Sequence, residues 1–289
     1  MKNISAHIWD VLAGNDPKLT TDGHHLFEKN YSAEDVGSMR VAQEYIKPEQ
    51  GKRLLDIGCG WGKIIVPYAQ KGMRTVGIDI SKVMLSAAKG YAEDTKTDVG
   101  LVNTDAEAIP FKGGSFDIVW SYAVLIHLPK DKVGRILGEV ARILDDRGYA
   151  YLHFKNSSHI LGPVMFMLKL FVRLKKKTPI EVEIRRYSMD EIRSMADKYF
   201  DRAEIMSENM EIIPLSIPKN FFSAGEDVLG GIVTDRDTGF VNLLPKPIII
   251  RVFRFYSWFK RLANTRYPFL KAFSKDFIVV LSKPKKATK

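Results

Sequence analysis

A single cysteine, Cys59, in 289 residues excludes an internal disulfide framework and a multi-cysteine zinc site. Long hydrophobic runs are also missing. The most apolar stretch, Ile160–Leu174, is interrupted by Lys169 and Arg173 and is too short to span a bilayer. Met1 to Asp10 carries charge and no apolar run, so no signal peptide is expected there and the default location is the cytoplasm. There is no internal repeat and no low-complexity tract beyond a short basic end, Lys283–Lys289. What is present is ordinary: 45% hydrophobic, 27% charged and 11% aromatic residues exclude disordered and fibrous classes and allow a sizeable buried core.

Acidic residues are scarce in only one half. Residues 1–150 hold 19 Lys/Arg against 20 Asp/Glu, residues 151–289 hold 25 against 14, and residues 251–289 alone hold 11 against 1. The net charge of +10 therefore belongs to the second half, and one-sided basic surface implies an anionic partner such as lipid headgroups or nucleic acid.

The first half alternates between strand-like and helix-like segments. Arg53–Ile57, Thr75–Ile78, Val99–Val102, Phe116–Ser121 and Gly148–Phe154 read as short buried strands, with helices over Gly62–Gln70, Lys82–Tyr91 and Lys130–Leu144. Such alternation predicts a parallel sheet with helices on both sides. Ser32 is a candidate cap for an earlier helix, Ala33–Ile46. Further on, Ser188 and Glu191 form a capping-box pattern opening a helix to about Tyr199. Strands are expected near Ala203–Met206 and Phe277–Leu281, and the long stretch between them reads as an insertion.

One segment carries the chemistry. Leu54-Leu55-Asp56-Ile57-Gly58-Cys59-Gly60-Trp61-Gly62 is a buried strand running into a glycine turn and then a helix. Glycines let the backbone turn tightly and approach a ligand, and a helix N-terminus supplies unpaired N–H groups. Asp79 ends the next strand, before Ile80, where a carboxylate can accept from ribose hydroxyls. The spacing G-x-G-x-G differs from the dinucleotide fingerprint G-x-G-x-x-G, which argues against a nicotinamide dehydrogenase. Asp105-Ala106-Glu107-Ala108-Ile109-Pro110-Phe111 follows the third strand, where a carboxylate could meet an adenine edge.

Taken in order, Asp56–Gly62, Asp79, Asp105–Phe111, Phe116–Ser121 and Leu144–Tyr151 resemble the class I S-adenosylmethionine-dependent methyltransferases, over about residues 35–155. Arg186–Glu191 resembles the family's sixth-helix region. The resemblance implies a Rossmann-like, doubly wound, mostly parallel α/β sheet of about seven strands. An N-terminal helical flap (1–50), a cofactor-binding core (51–210), a basic aromatic insertion (211–275) and a last strand with a basic tail (276–289) would complete it. It also implies S-adenosylmethionine as cofactor, with Asp56, Gly58, Cys59 and Gly60 among the residues that bind it and Gly58 and Gly60 against its methionine part. Asp79 and Ile80 would lie at the ribose, Asp105 and Ala106 at the adenine, and Ser121 at the methionine end. Arg40 matches an arginine that pairs with the cofactor carboxylate in ubiquinone-pathway O-methyltransferases; an ordinary surface arginine on a helix fits that position equally.

Methyl transfer needs mainly alignment of acceptor and methyl, with a base only where the acceptor arrives protonated. His127 resembles the histidine found after the fourth strand in quinone and phenol O-methyltransferases; it serves either as that base or as a loop residue bonding backbone. Tyr122 is a second acceptor-site candidate. The glutamates that precede this histidine and bind a divalent cation in ubiquinone-pathway enzymes are Ala123, Val124, Leu125 and Ile126 here, so no metal site is expected. His24 and His25 read as flap or surface residues, and His7, His153 and His159 as structural ones. Cys59 reads as packing.

Residues 159–177 and 247–262 combine apolar and aromatic bulk with cations at helical spacing, among them Arg251, Arg254 and Arg261. They read either as a lid meeting an apolar or lipid-linked acceptor at an anionic membrane, peripherally on its inner face, or as packing against the sheet or a second subunit. An RNA methyltransferase and a non-catalytic scaffold are the rival functions; no separate RNA-binding module is recognisable, which makes nucleic acid the weaker partner.

Overall fold

The computed structural model describes residues 10, 37–157, 183–210, 255 and 258–285. Ser32, His7, His24, His25, His159, Arg251, Arg254 and the whole of the 159–177 and 211–254 segments lie outside them.

Strand β1 (Arg53–Ile57) is apolar on both faces because both faces are covered. Leu55 and Ile57 join one core cluster while Leu54 joins another on the opposite side. Helix α1 (Gly37–Tyr45) packs Met39, Val41 and Ala42 into that second cluster. The chain then runs through α2 (Ile65–Gln70), β2 (Arg74–Asp79), α3 (Lys82–Asp94), β3 (Gly100–Asn103), β4 (Phe116–Ser121), α4 (Lys130–Ile143) and β5 (Leu144–Asn156). Next come the two-residue strand β6 (Arg186–Tyr187), α5 (Met189–Ala196), β7 (Phe200–Met210) and β8 (Ser274–Pro284).

The sheet order is β3-β2-β1-β4-β5-β8-β7, with β6 paired to β5. Strands β3 to β5 are parallel, whereas β8 is antiparallel to both β5 and β7, between which it lies. The expected mostly parallel α/β sheet is thus observed, with β6 as an eighth, very short strand. Helix α4 shows the expected helical spacing, burying Val133, Ile136, Leu137 and Val140, and the Ser188–Glu191 capping box closes both ways at the start of α5.

Several boundaries differ from the sequence reading for local reasons. Helix α2 starts at Ile65 rather than Gly62, because Gly62 has φ +84° and cannot sit in a right-handed turn. Strand β5 starts at Leu144, running straight out of α4, and an irregularity between Phe116 and Ile118 absorbs the polar residues Asp145–Arg147. Strands β7 and β8 each run eleven residues. Strand β7 was short in the apolar pattern because it is an edge strand whose Asp201, Arg202 and Glu204 are exposed.

Candidate active site

At the carboxyl end of β1 three glycines take positive φ: Gly58 (+72°), Gly60 (+54°) and Gly62 (+84°). Side chains rarely adopt this conformation, so the turn requires glycine. The Gly58 and Cys59 N–H groups donate to the Ile78 carbonyl at 2.8 and 3.1 Å, tying the turn to β2. Asp79 ties it again: one carboxylate oxygen accepts the Gly60 N–H at 2.9 Å and the other accepts the Ser81 N–H at 2.9 Å. Burial pushes the Asp79 carboxyl up, against the pull of the Ser81, Gly60 and Ile80 N–H groups. Asn103 Nδ2 donates to the Asp79 and Ile80 carbonyls, which fixes the backbone beyond β2.

Cys59 is 1% exposed, and its Cβ and Sγ fill the space that a Cβ on Gly77 would need. This agrees with packing as its task. Among the described residues, Met84 Sδ, at 4.0 Å, is the nearest atom outside the turn to where a Cβ on Gly60 would stand. An adenosine-bearing ligand with a cationic methionine part fits this donor and acceptor set.

Asp56 is 3% exposed, and burial pushes its carboxyl up to about 7, with Lys63 opposing and Asp79 reinforcing the rise. Lys63 follows the glycine turn, and its ammonium is held below its ordinary range by burial, with Asp56 working the other way. In the sequence Lys63 is marked only by its place immediately after Gly62. A raised folded-state value means Asp56 stabilises the fold fully below the ordinary carboxylate range and loses that contribution as pH rises through about 7. A bound sulfonium and ammonium favour the ionised carboxylate, so cofactor binding should release a proton near neutrality. Calorimetry in two buffers of different ionisation enthalpy checks this: proton release in the wild type, and none in Asp56→Asn.

Asp105 and Ala106 follow β3. The Asp105 carboxylate accepts from Lys132 Nζ at 2.7 Å and from the Glu107 N–H at 3.1 Å. Lys132 also bridges Glu107 at 2.9 Å, so an adenine amino group would share Asp105 with α4. Ser121 is 1% exposed and its hydroxyl donates to the Ile57 carbonyl at 3.1 Å, joining the end of β4 to the glycine turn. Arg40 is exposed on α1, and among the described residues it makes no ion pair.

The acceptor-side candidates lie just beyond β4. The Tyr122 ring stacks on Trp120 and on His153, the latter with centroids 4.3 Å apart. His127 ends a 3₁₀ turn, Leu125–His127, braced by the Arg185 N–H donating to the Ile126 carbonyl. His127 Nδ1 lies 3.1 Å from the Glu183 carbonyl oxygen. A carbonyl only accepts, so Nδ1 carries the proton and a neutral ring has its lone pair at Nε2. Burial holds the imidazole below its usual pKa, the Glu183 bond opposes this, and His153 and Lys155 lower it further. Among the described residues, no group of three or more His, Cys, Asp or Glu is placed to hold a metal, and no helix is long and apolar enough to cross a membrane. An open cleft of about 640 Å³ lies at the other end of the sheet, by Arg74 and Gly100, and contains none of these residues.

A glycine turn and an acidic residue at adjacent strand ends, on a parallel sheet closed by an antiparallel last strand, define a Rossmann-like methyltransferase fold. A SAM dependent methyltransferase from Archaeoglobus fulgidus shares it, with TM-score 0.50 and 16% identity over 88% of this chain and 95% of that one. The YcgJ protein of Bacillus subtilis gives TM-score 0.50 and 18% identity over 85% and 98%. Residues 55–152 match the family described as Methyltransferase domain. Curated relatives include the ubiquinone biosynthesis O-methyltransferases of Cereibacter sphaeroides, 33% identical over 36% of this chain and 44% of theirs, and of Rhodopseudomonas palustris, 37% identical over 34% and 38%. The chain therefore spans less than half the length of the curated relatives it matches.

Proposed function

We propose that this chain moves a methyl group from S-adenosylmethionine to a hydroxyl oxygen of an apolar, lipid-linked acceptor, with His127 as the base. The observation that carries the reading is the Glu183 carbonyl on His127 Nδ1, which puts the lone pair of a half-buried, neutral imidazole at Nε2 beyond the strand that bears Ser121. The bound cofactor supplies an electrophilic methyl on a cationic sulfur. Asp79 and the glycine turn hold its ribose and methionine ends, and Tyr122 supplies an aromatic wall for the acceptor. His127 takes the hydroxyl proton as the oxygen becomes nucleophilic. The name of the relatives supports oxygen as the atom methylated and a quinone-type ring as the acceptor. The four residues before His127, Ala123 to Ile126, include no carboxylate.

A membrane-facing acceptor is supported by the exposed aromatics Phe255, Trp258, Tyr267 and Phe269, the last 71% exposed, beside exposed Arg261 and Arg266. Lys260 is not part of that cationic set, since it turns inward to Glu208 and Glu44. His127→Ala should lower kcat for a long-chain catechol such as dodecylcatechol by about a hundred-fold or more, with S-adenosylhomocysteine affinity unchanged. Full activity in that variant would remove the base assignment.

A further inference from the structure

From sequence His153 reads as structural, yet the fold puts it beside the acceptor-side residues. On β5 it stands one position beyond the Ser121–Leu152 register pair, opposite the point where β4 gives way to Tyr122 and Ala123. It is 2% exposed, and its ring lies flat on Tyr122 with an interplanar angle of 23°. His153 Nδ1 accepts the Ala123 N–H at 3.3 Å. Ala123 has φ +61°, a conformation that an alanine avoids and has no side-chain hydrogen bond to stabilise. The bond from His153 falls on the residue whose backbone is strained.

Behind the ring, Nε2 faces Asp276 Oδ1 at 3.5 Å, longer than an ordinary hydrogen bond. Asp276 is 1% exposed and pairs with the Lys155 ammonium, whose Nζ lies 2.7 Å from Oδ1. Burial alone would raise its carboxyl, but His153 and Lys155 together hold it well below the usual range. The Ala123 N–H can only donate, so Nδ1 holds the lone pair and the ring proton sits at Nε2, facing Asp276. Both His153 ring nitrogens are turned toward protein groups.

We propose that His153, oriented by Asp276 and Lys155, is a positioning residue: it holds the Tyr122–Ala123 turn in its left-handed conformation and so sets the aromatic wall of the acceptor site. The proposal rests on the methyl-transfer reading for its catalytic consequence, though not for the turn itself. His153→Phe keeps a ring against Tyr122 and removes the acceptor for the Ala123 N–H. Its amide at Ala123 should exchange hydrogen about ten-fold faster or more, and kcat for dodecylcatechol should fall about ten- to a hundred-fold while S-adenosylhomocysteine affinity stays within about two-fold. His153→Asn, whose side-chain carbonyl can accept that N–H, should retain most of the protection. Ala123→Gly in the His153→Phe background should restore kcat in part, since glycine takes positive φ without strain.

Unchanged exchange and unchanged kcat in a folded His153→Phe protein would overturn the proposal. So would a parallel loss of S-adenosylhomocysteine affinity, which marks a general role in the fold. Should His153→Phe not fold, a folded His153→Asn protein with an unprotected Ala123 amide overturns it as well. If the wild type methylates no catechol, the methyl-transfer reading falls while the exchange measurement still decides the turn.

Discussion

Asp79→Ala should weaken S-adenosylhomocysteine binding by about a hundred-fold and lower thermal stability at the same time. The two effects have one origin. Asp79 does not wait at the strand end for a ribose; its two oxygens already accept the Gly60 and Ser81 N–H groups at 2.9 Å each. Removing it leaves two backbone donors, Gly60 in the glycine turn and Ser81 at the cap of α3, without their charged acceptor, each such bond being worth about 1.5–3 kcal/mol. It also removes the carboxylate that would face the ribose hydroxyls. Asp79→Asn should fall between, because an amide oxygen can replace only one of the two acceptors. Calorimetric titration together with a melting curve checks both parts; wild-type affinity in a folded Asp79→Ala protein would remove Asp79 from the cofactor site.

Gly58→Ala should be almost as damaging, for a steric reason. An added Cβ would stand 2.3 Å from Val124 Cγ2 and 3.2 Å from Val124 Cβ, and the branched side chain cannot swing its whole width away. Positive φ at +72° adds a conformational cost of about 1–2 kcal/mol, and overpacking adds about 1–3 kcal/mol. The melting temperature should drop by about 5–15 °C, with S-adenosylhomocysteine affinity falling too. Val124→Ala in the same chain should relieve the clash and leave the φ cost, so the double variant should recover part of the stability. A Gly58→Ala protein that melts like the wild type would mean that the turn does not run against Val124.

That contact joins the glycine turn to the loop after β4, and it was not legible in the sequence. The periodic and composition signals there were local: the buried strand before Gly58, the acid ending β2, the spacing of Val133, Ile136 and Val140 on α4, and the capping box at Ser188. These depend on residues within a few positions of one another, and the structure returns them. What escaped depends on register across the sheet. His153 reads as one more polar residue in a strand until β5 is laid against β4, which puts it beside Tyr122, and against β8, which brings Asp276 to its other side. Lys132 pairs with Asp105 across 27 positions, and Arg185 reaches back to Ile126 across a long connection. The lengths of β7 and β8 were hidden for a related reason, since an edge strand keeps polar residues on its solvent side and breaks the apolar run.

The site as a whole follows one division. Residues at the ends of β1, β2 and β3 present donors and carboxylates suited to a cationic nucleoside. Those on β5 and beyond β4 present aromatic rings and imidazoles suited to an apolar hydroxyl compound. The most direct measurement of that account is incubation with methyl-labelled S-adenosylmethionine and dodecylcatechol in anionic phospholipid vesicles, with the extracted product read by NMR. The account predicts a single labelled aryl methyl ether, whose formation His127→Ala slows. Label on a ring carbon, or no labelled product from a protein that binds S-adenosylhomocysteine, would contradict it.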